Sequence, residues 1–163
     1  MRSKIFAPIG LTNVDDFYRG SSPETIYFKS DGTAIPDQIN VAGSGYDLRS
    51  NTTVRSAGSG FWYLSAKEYS LFIANLWAGR IIRKTSVSKM LTPYSLGFEM
   101  GSLPISKKTT WGKNGGGWLG GPATQWVTFP DGYTAVIQSN SPTGNLRQML
   151  EQTYEASWQY PLQ

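Results

Sequence analysis

The sequence of 163 residues contains no cysteine and no histidine. Without cysteine the chain can form no disulfide, no thiolate metal site and no cysteine nucleophile. Without histidine it lacks the commonest general base and zinc ligand, which excludes a Ser-His-Asp hydrolase and most transition-metal chemistry. Lysine, carboxylate and tyrosine side chains are therefore the remaining candidates for general acid–base catalysis. We expect no metal and no cofactor.

Charge is also sparse, since only 16% of the residues are charged and the formal net charge is +4. The basic residues are scattered, apart from small groups at Arg80, Arg83 and Lys84 and at Lys107 and Lys108. This pattern favours a solvated surface over a nucleic-acid partner.

No apolar run approaches the roughly 18 residues of a membrane span. The segment after residues 1–4 is short and interrupted by Pro8, unlike a signal peptide, and the compartment stays open.

What the chain does have is the composition of a folded domain, with 39% hydrophobic and 13% aromatic residues. Residues 1–64 are rich in turn formers, and only 25–29 reads as a short strand, followed by an Asp31-Gly32 turn. The Ser65-x-x-Glu68 capping box predicts a helix that ends at Gly79. A shorter helix is expected over 86–91, because Thr92-Pro93 stops it.

After Pro93 the apolar period changes from 3.6 to 2. We expect strands over 94–101 and 108–116, then a hairpin over 123–140 that turns at Pro130-Asp131-Gly132. Asn145 is placed to cap a final helix that extends to about residue 158. The prediction is an α+β fold in one domain, 1–163, with an antiparallel sheet of three to five strands and a C-terminal helix on one face. Its parts are a loop-rich segment (1–64), a helical segment (65–92) and the sheet with the last helix (93–163).

The stretch "WGKNGGGWLGG", residues 111–121, holds six glycines and two tryptophans around one lysine. In Lys113-Asn114-Gly115 the ammonium can hold a substrate carboxylate. Because Gly115 has no side chain, a ligand can lie along the strand and use its backbone hydrogen bonds. The alternative is a glycine-rich turn with an exposed lysine.

Other candidate groups have ordinary structural interpretations beside the functional ones. Ser86-Val87-Ser88-Lys89 fits the Ser-x-x-Lys pattern of an acylated serine, or is a capping serine with an exposed lysine. Asn51-Thr52-Thr53 is a glycosylation sequon. The loop aspartates favour turns over calcium binding, and the tryptophans favour core packing over a sugar platform. The aspartates are Asp15, Asp16, Asp31, Asp37 and Asp47; the tryptophans are Trp62, Trp77, Trp111, Trp118 and Trp126.

Five segments occur in one order over most of the chain: "APIGLTNV" at 7–14, "AGSGFWYLSAKEYSLFIANLWAGR" at 57–80, "KMLTPYSLGFEMG" at 89–101, "WGKNGGGWLGG" at 111–121 and "VTFPDGYTAVIQSN" at 127–140. This series resembles the C-terminal half of the serine β-lactamase and penicillin-binding-protein superfamily, especially its class C β-lactamase and esterase-like branch. The resemblance implies a partial β-lactamase/transpeptidase-like fold.

The resemblance assigns roles around the third motif of that family, Lys-Thr/Ser-Gly or His-x-Gly. Lys113 would hold a substrate carboxylate and support proton movement, and the Gly116 N–H would supply half of the oxyanion hole. Asn114, Gly115 and Gly117 would line the substrate. Asn114 stands where the family has a hydroxyl residue. At this position the sequence departs from the family motif, so the resemblance does not define how Asn114 contributes to substrate binding.

In such hydrolases the Ser-x-x-Lys and Tyr-x-Asn motifs precede the segment matched by residues 7–14. We therefore expect this chain to be the C-terminal portion of a hydrolase for β-lactam, peptide or ester substrates, inactive alone. Its partner would be the N-terminal half of the same hydrolase or a second copy. The alternative is a stand-alone binding or interaction module derived from that fold. Members of the family are often extracytoplasmic.

Overall fold

The computed structural model describes residues 2–12, 14, 27–28, 34–35, 64–91, 95–116, 123–139 and 144–159. The helices are a π-helical turn at Arg2–Phe6, a 3-10 turn at Ala7–Ile9, α1 (Ala66–Trp77), α2 (Lys84–Leu91) and α3 (Leu146–Gln159). The strands are β1 (Tyr27–Phe28), β2 (Ala34–Ile35), β3 (Glu99–Ser102), β4 (Thr109–Gly116), β5 (Ala123–Thr128) and β6 (Thr134–Ser139). None of the helices in these ranges is both long and apolar enough to cross a membrane.

The main sheet has four strands in the order β3-β4-β5-β6, and every neighbouring pair is antiparallel. Each strand follows its neighbour directly in sequence, so short turns are enough to connect them. Together with the helices, this sheet confirms the predicted α+β class and the predicted number of strands. β1 and β2 form a separate two-stranded pair. β1 lies inside the predicted strand 25–29, whereas β2 was not predicted, and the Asp31-Gly32 turn lies outside the described residues.

The two faces of the sheet carry different parts of the core. Successive strand residues point to opposite faces, so Trp126 and Val127 on β5 belong to different clusters. Trp126 packs with residues of α1 and α2 in a cluster that contains Ile73, Leu76, Val87 and Phe98. Val127 packs with Leu103, Phe129 and the α3 residues Leu150 and Tyr154. The C-terminal helix therefore covers one face of the sheet, as predicted.

A third cluster joins the N-terminal turns to the helical segment. Phe6, Ile9, Leu11 and Val14 are buried together and pack against partly buried side chains that include Phe72 of α1. The rings of Phe6 and Phe72 have centroids 6.0 Å apart. The folded core thus includes Phe6, Ile9, Leu11 and Val14, although the sequence of residues 1–64 favoured an irregular segment.

Helix α1 begins at the predicted capping box. Glu68 N–H donates to Ser65 Oγ at 3.2 Å, and Ser65 N–H donates to Glu68 Oε2 at 2.8 Å, so two otherwise unpaired donors are satisfied. The helix is followed by Gly79, whose φ of 78° is costly for other residues. α2 begins two residues before the predicted Ser86, because the Arg83 carbonyl already accepts from Ser86 and Val87 N–H.

The first strand of the main sheet starts later than the predicted residue 94. Ser95 and Gly97 have φ angles of 47° and 73°, which are incompatible with extended strand backbone. Leu96 N–H donates to the Met90 carbonyl at 2.7 Å, which ties this turn to the end of α2. The alternating pattern was therefore wrong over 95–98, and β3 begins at Glu99. Tyr94 lies outside the described residues.

The final hairpin and helix agree with the sequence. Gly132 has φ of 90° in the turn between β5 and β6, where a side chain would be strained. Asn145 Oδ1 accepts from Gln148 N–H at 3.1 Å and so caps α3 as predicted. The Phe129 and Tyr154 rings stack at 3.9 Å, which fixes α3 on the sheet.

A carboxylate of α3 also holds the turn between β3 and β4. Glu155 accepts from Ile105 N–H at 2.8 Å and from Ser106 N–H at 2.7 Å. Burial alone would raise the pKa of Glu155. The backbone donors of Ser106 and Ile105, the Ser106 side chain and the charge of Lys107 together outweigh burial, so the net effect lowers that pKa.

We expect Glu155→Gln to lower the free energy of unfolding at neutral pH, because the amide offers weaker acceptance to the two backbone donors. A lowered folded-state pKa means that the carboxylate stabilises the fold above its unfolded pKa of about 4.3, and that this stabilisation is lost as pH falls through the folded value. Urea unfolding from pH 7 to pH 3 should show the difference between wild type and variant shrinking with acidification. A difference that stays constant over this range would contradict the role assigned to Glu155.

Candidate functional site

The candidate site lies on the second half of β4, which extends beyond the first residue of β3. β3 pairs with residues 109–112 only, and its first residue, Glu99, lies opposite Gly112. β5 pairs with residues 111–116 on the other side of β4. Within the described ranges, residues 113–116 thus have a strand on one side and none on the other.

The chain before β3 turns away instead of extending along β4. Phe98 N–H donates to the Ser95 carbonyl at 3.3 Å, which closes the turn. The Phe98 side chain is buried, with its ring 5.5 Å from Trp77 and 5.6 Å from Trp126. Because Phe98 is anchored in the core in this way, β3 does not extend to the position opposite Lys113.

Lys113 lies at the start of this unpaired edge. Its Nζ donates to Glu99 Oε1 at 2.6 Å, and the two side chains are 45% and 42% exposed. An ion pair this exposed contributes little to stability, about 0–1 kcal/mol. An ammonium group has three N–H donors, so the contact with Glu99 leaves others for a ligand. Asn114 and Gly115, the next two residues, are also exposed.

The glycines of β4 have two different roles. A Cβ on Gly112 would collide with the Trp126 carbonyl oxygen and lie 3.2 Å from Gln125 Nε2, so close packing of β4 on β5 requires this glycine. A Cβ on Gly115 would meet nothing within 4 Å. Gly115 therefore faces open space beside Lys113, as a ligand-lining strand requires.

The oxyanion position remains a prediction. Gly116 is the last residue of β4 and pairs with Ala123, and Gly117 lies outside the described residues. The structure therefore places Lys113, Asn114, Gly115 and Gly116 in succession along one strand.

Aromatic side chains of the core cluster pack next to this part of the sheet. Trp126 lies opposite Lys113 in the β4–β5 pairing and is 2% exposed. Burial raises the pKa of Tyr69 on α1, partly offset by a side-chain hydrogen bond with Trp126. Trp77 donates through Nε1 to Thr128 Oγ1 at 2.8 Å. Trp77, Trp111 and Trp126 all belong to the core cluster, as the packing interpretation predicts; Trp62 and Trp118 fall outside the described part.

Ser86, the other candidate for an acylated serine, lies on the surface. Ser86 and Lys89 are both exposed on α2. The five candidate aspartates and Asn51 fall outside the described residues. Inside them, no group of three or more His, Cys, Asp or Glu residues could hold a metal ion.

Two residues near the site were missed by the sequence reasoning. Glu99 pairs with Lys113, but its proximity depends on the β3–β4 register, which local patterns do not fix. Arg147 on α3 donates through Nη1 to the Glu99 carbonyl at 3.3 Å and through Nη2 to Thr110 Oγ1 at 2.9 Å. The (i, i+4) spacing of Arg147 and Glu151 could have indicated their ion pair, which spans 3.0 Å.

Comparisons with protein-family models, with curated protein sequences and with solved structures give no significant match to this chain. The function is therefore inferred from the residues and their geometry, and the β-lactamase-like relationship stays a prediction.

We expect Gly112→Ala to reduce the free energy of unfolding by about 1–3 kcal/mol, because the added methyl group forces β4 away from β5. Gly115→Ala is the matched control on the same strand and should change stability by no more than about 0.5 kcal/mol. Urea unfolding of both variants measures this difference. Equal losses would contradict the distinction between a packing glycine and an open one.

Proposed function

We propose that this chain is the C-terminal portion of a β-lactamase-like serine hydrolase, which transfers acyl groups of β-lactam, peptide or ester substrates. In this proposal β4 forms one wall of the catalytic cleft. A separate segment carries the Ser-x-x-Lys nucleophile, so the chain alone does not turn over substrate.

The observation that carries the proposal is that no strand among the described residues pairs with the outer edge of β4 at residues 113–116, where Lys113 comes first. An extended acyl substrate can pair with such an edge through its own backbone, as peptides do when they add to a sheet. The open space at Gly115 lets the substrate backbone come close. The exposed ammonium of Lys113 then lies beside the bound acyl group.

The roles proposed along the strand are those that the resemblance implies, and the chemistry of the residues is compatible with them. Lys113 supplies positive charge and proton donors to an acyl or carboxylate oxygen. Gly116 N–H is proposed as one oxyanion donor, and Gly115 keeps the strand free of a side chain where the substrate lies. Gly117 is proposed to line the substrate as well. Asn114 offers an amide in place of a hydroxyl group, so it can donate to the substrate but cannot shuttle a proton in the same way.

A stand-alone binding module is the second candidate, and the same edge favours it. Peptide addition to β4 requires the unpaired backbone and the open Gly115 but no nucleophile. The two functions differ in whether a serine is acylated.

The test is covalent labelling with a fluorophosphonate and with a labelled penicillin, analysed by mass spectrometry. We expect no adduct on this chain alone. When a polypeptide that carries Ser-x-x-Lys and Tyr-x-Asn is added, we expect an adduct on the serine of that polypeptide. Lys113→Met should slow this labelling about a hundredfold, which is typical of losing one preorganised electrostatic group.

Lys108→Met removes a neighbouring exposed lysine and is the matched control, which should label at the wild-type rate. An adduct on Ser86 of the isolated chain would contradict the proposal in favour of that serine. No adduct in the mixture, with peptide binding retained, would favour the binding module.

A further inference from the structure

Lys113, the residue proposed to meet the substrate, already has a carboxylate beside it. Glu99 Oε1 lies 2.6 Å from Lys113 Nζ, at the end of β3 and the start of the unpaired edge. Both side chains are about half-exposed, so a ligand at this edge meets the pair and not an isolated ammonium.

The backbone that carries Glu99 is held from two sides. Glu99 pairs with Gly112 of β4, and its carbonyl accepts from Arg147 Nη1 at 3.3 Å. The charge of Arg147 is itself engaged, since Nε donates to Glu151 Oε1 at 3.0 Å. The fold therefore sets the position of the Glu99 backbone, and the Glu99 carboxylate pairs with Lys113.

The pair has opposite consequences for charged and neutral ligands. A ligand carboxylate must either displace Glu99 from Lys113 or lie close to it, where two negative charges repel each other. A neutral ester or amide carbonyl needs only one of the remaining ammonium N–H donors, so Glu99 can stay in place. The Glu99–Lys113 pair thus gives no advantage to an anion.

We propose that Glu99 is a specificity-determining residue that makes this site select neutral acyl ligands, esters and amides, over ligands that carry a carboxylate. This inference rests on the proposed function and narrows its substrate class. It replaces the expected role of Lys113 in holding a substrate carboxylate, so a β-lactam that carries a carboxylate would be a poorer substrate than a neutral ester or amide. It assigns Lys113 the task of hydrogen bonding to a neutral carbonyl while Glu99 balances its charge.

The test uses two ligands of nearly the same shape, N-acetylalanine and N-acetylalanine amide. They are titrated separately into the isotopically labelled chain, and the backbone amide signals of Glu99, Lys113 and Gly115 are followed by NMR. We expect the wild-type chain to bind the neutral amide at least as tightly as the carboxylate. Glu99→Gln should shift the affinity ratio about two- to fivefold toward the carboxylate, the size expected for removing one exposed charge.

Three variants serve as controls. Ala156→Lys changes the net charge by the same amount as Glu99→Gln at an exposed position of α3, and it should leave the ratio unchanged. Glu99→Asp keeps the charge and should stay near wild type. Lys113→Met should remove the gain when it is combined with Glu99→Gln.

The proposal is overturned if wild type prefers the carboxylate, if Glu99→Gln leaves the ratio unchanged in a folded chain, or if neither ligand perturbs these signals. A failure of the proposed function is seen separately, as the absence of serine labelling in the mixture. If Glu99→Gln shifts the affinity ratio and no serine is labelled, Glu99 selects neutral ligands in a binding site that is not part of a hydrolase.

Discussion

The contact on which the arrangement depends is the one between Arg147, Thr110 and Glu151. The Thr110 hydroxyl is fully buried, donates to Glu151 Oε1 at 2.6 Å and accepts from Arg147 Nη2 at 2.9 Å. The guanidinium lies directly over Gly101 of β3, where any Cβ would collide with it. Because each polar group is paired, burying them beneath α3 does not carry the penalty of an unsatisfied charge.

This cluster connects the helix to the position of the site. Arg147 contacts β3 at the Glu99 carbonyl and β4 at Thr110, so α3 fixes the two strands relative to each other. Phe98, buried between Trp77 and Trp126, anchors the residue that directly precedes β3. With its first residue held by both contacts, β3 begins at Glu99. Within the described residues, this start of β3 leaves the edge of β4 unpaired from Lys113 onward and places the Glu99 carboxylate beside the ammonium group.

The parts of the fold that the sequence could predict are those set by neighbours in the chain. Ser65 and Glu68 satisfy each other's backbone donors within one helical turn, Gly132 lies in a tight turn, and Asn145 caps the helix that follows it. Each of these signals needs only a few consecutive residues, so it is visible without the fold. The alternation over 94–101 misled for the same reason. It is a local pattern, whereas the turn at Ser95 depends on a hydrogen bond between Leu96 and Met90 of another element.

The candidate site was predictable in its residues and not in its electrostatics. Lys113 and Gly115 stood out because a lone lysine among glycines on a strand is chemically distinctive. Glu99 did not, because it comes within 2.6 Å of Lys113 only through the β3–β4 register. The difference between Gly112 and Gly115 was also hidden, since it depends on where the Trp126 carbonyl lies.

The central claim is that the edge of β4 over residues 113–116, which no described strand covers, is open to a ligand, and amide hydrogen exchange tests it most directly. Strand amides that point to an unpaired edge exchange quickly, whereas amides bonded to a neighbouring strand are protected. The account predicts strong protection at 111 and 112, which pair with both β3 and β5, and fast exchange at alternate amides over 113–116. Protection of every amide from 110 to 116 would show that the edge is covered and would contradict the account.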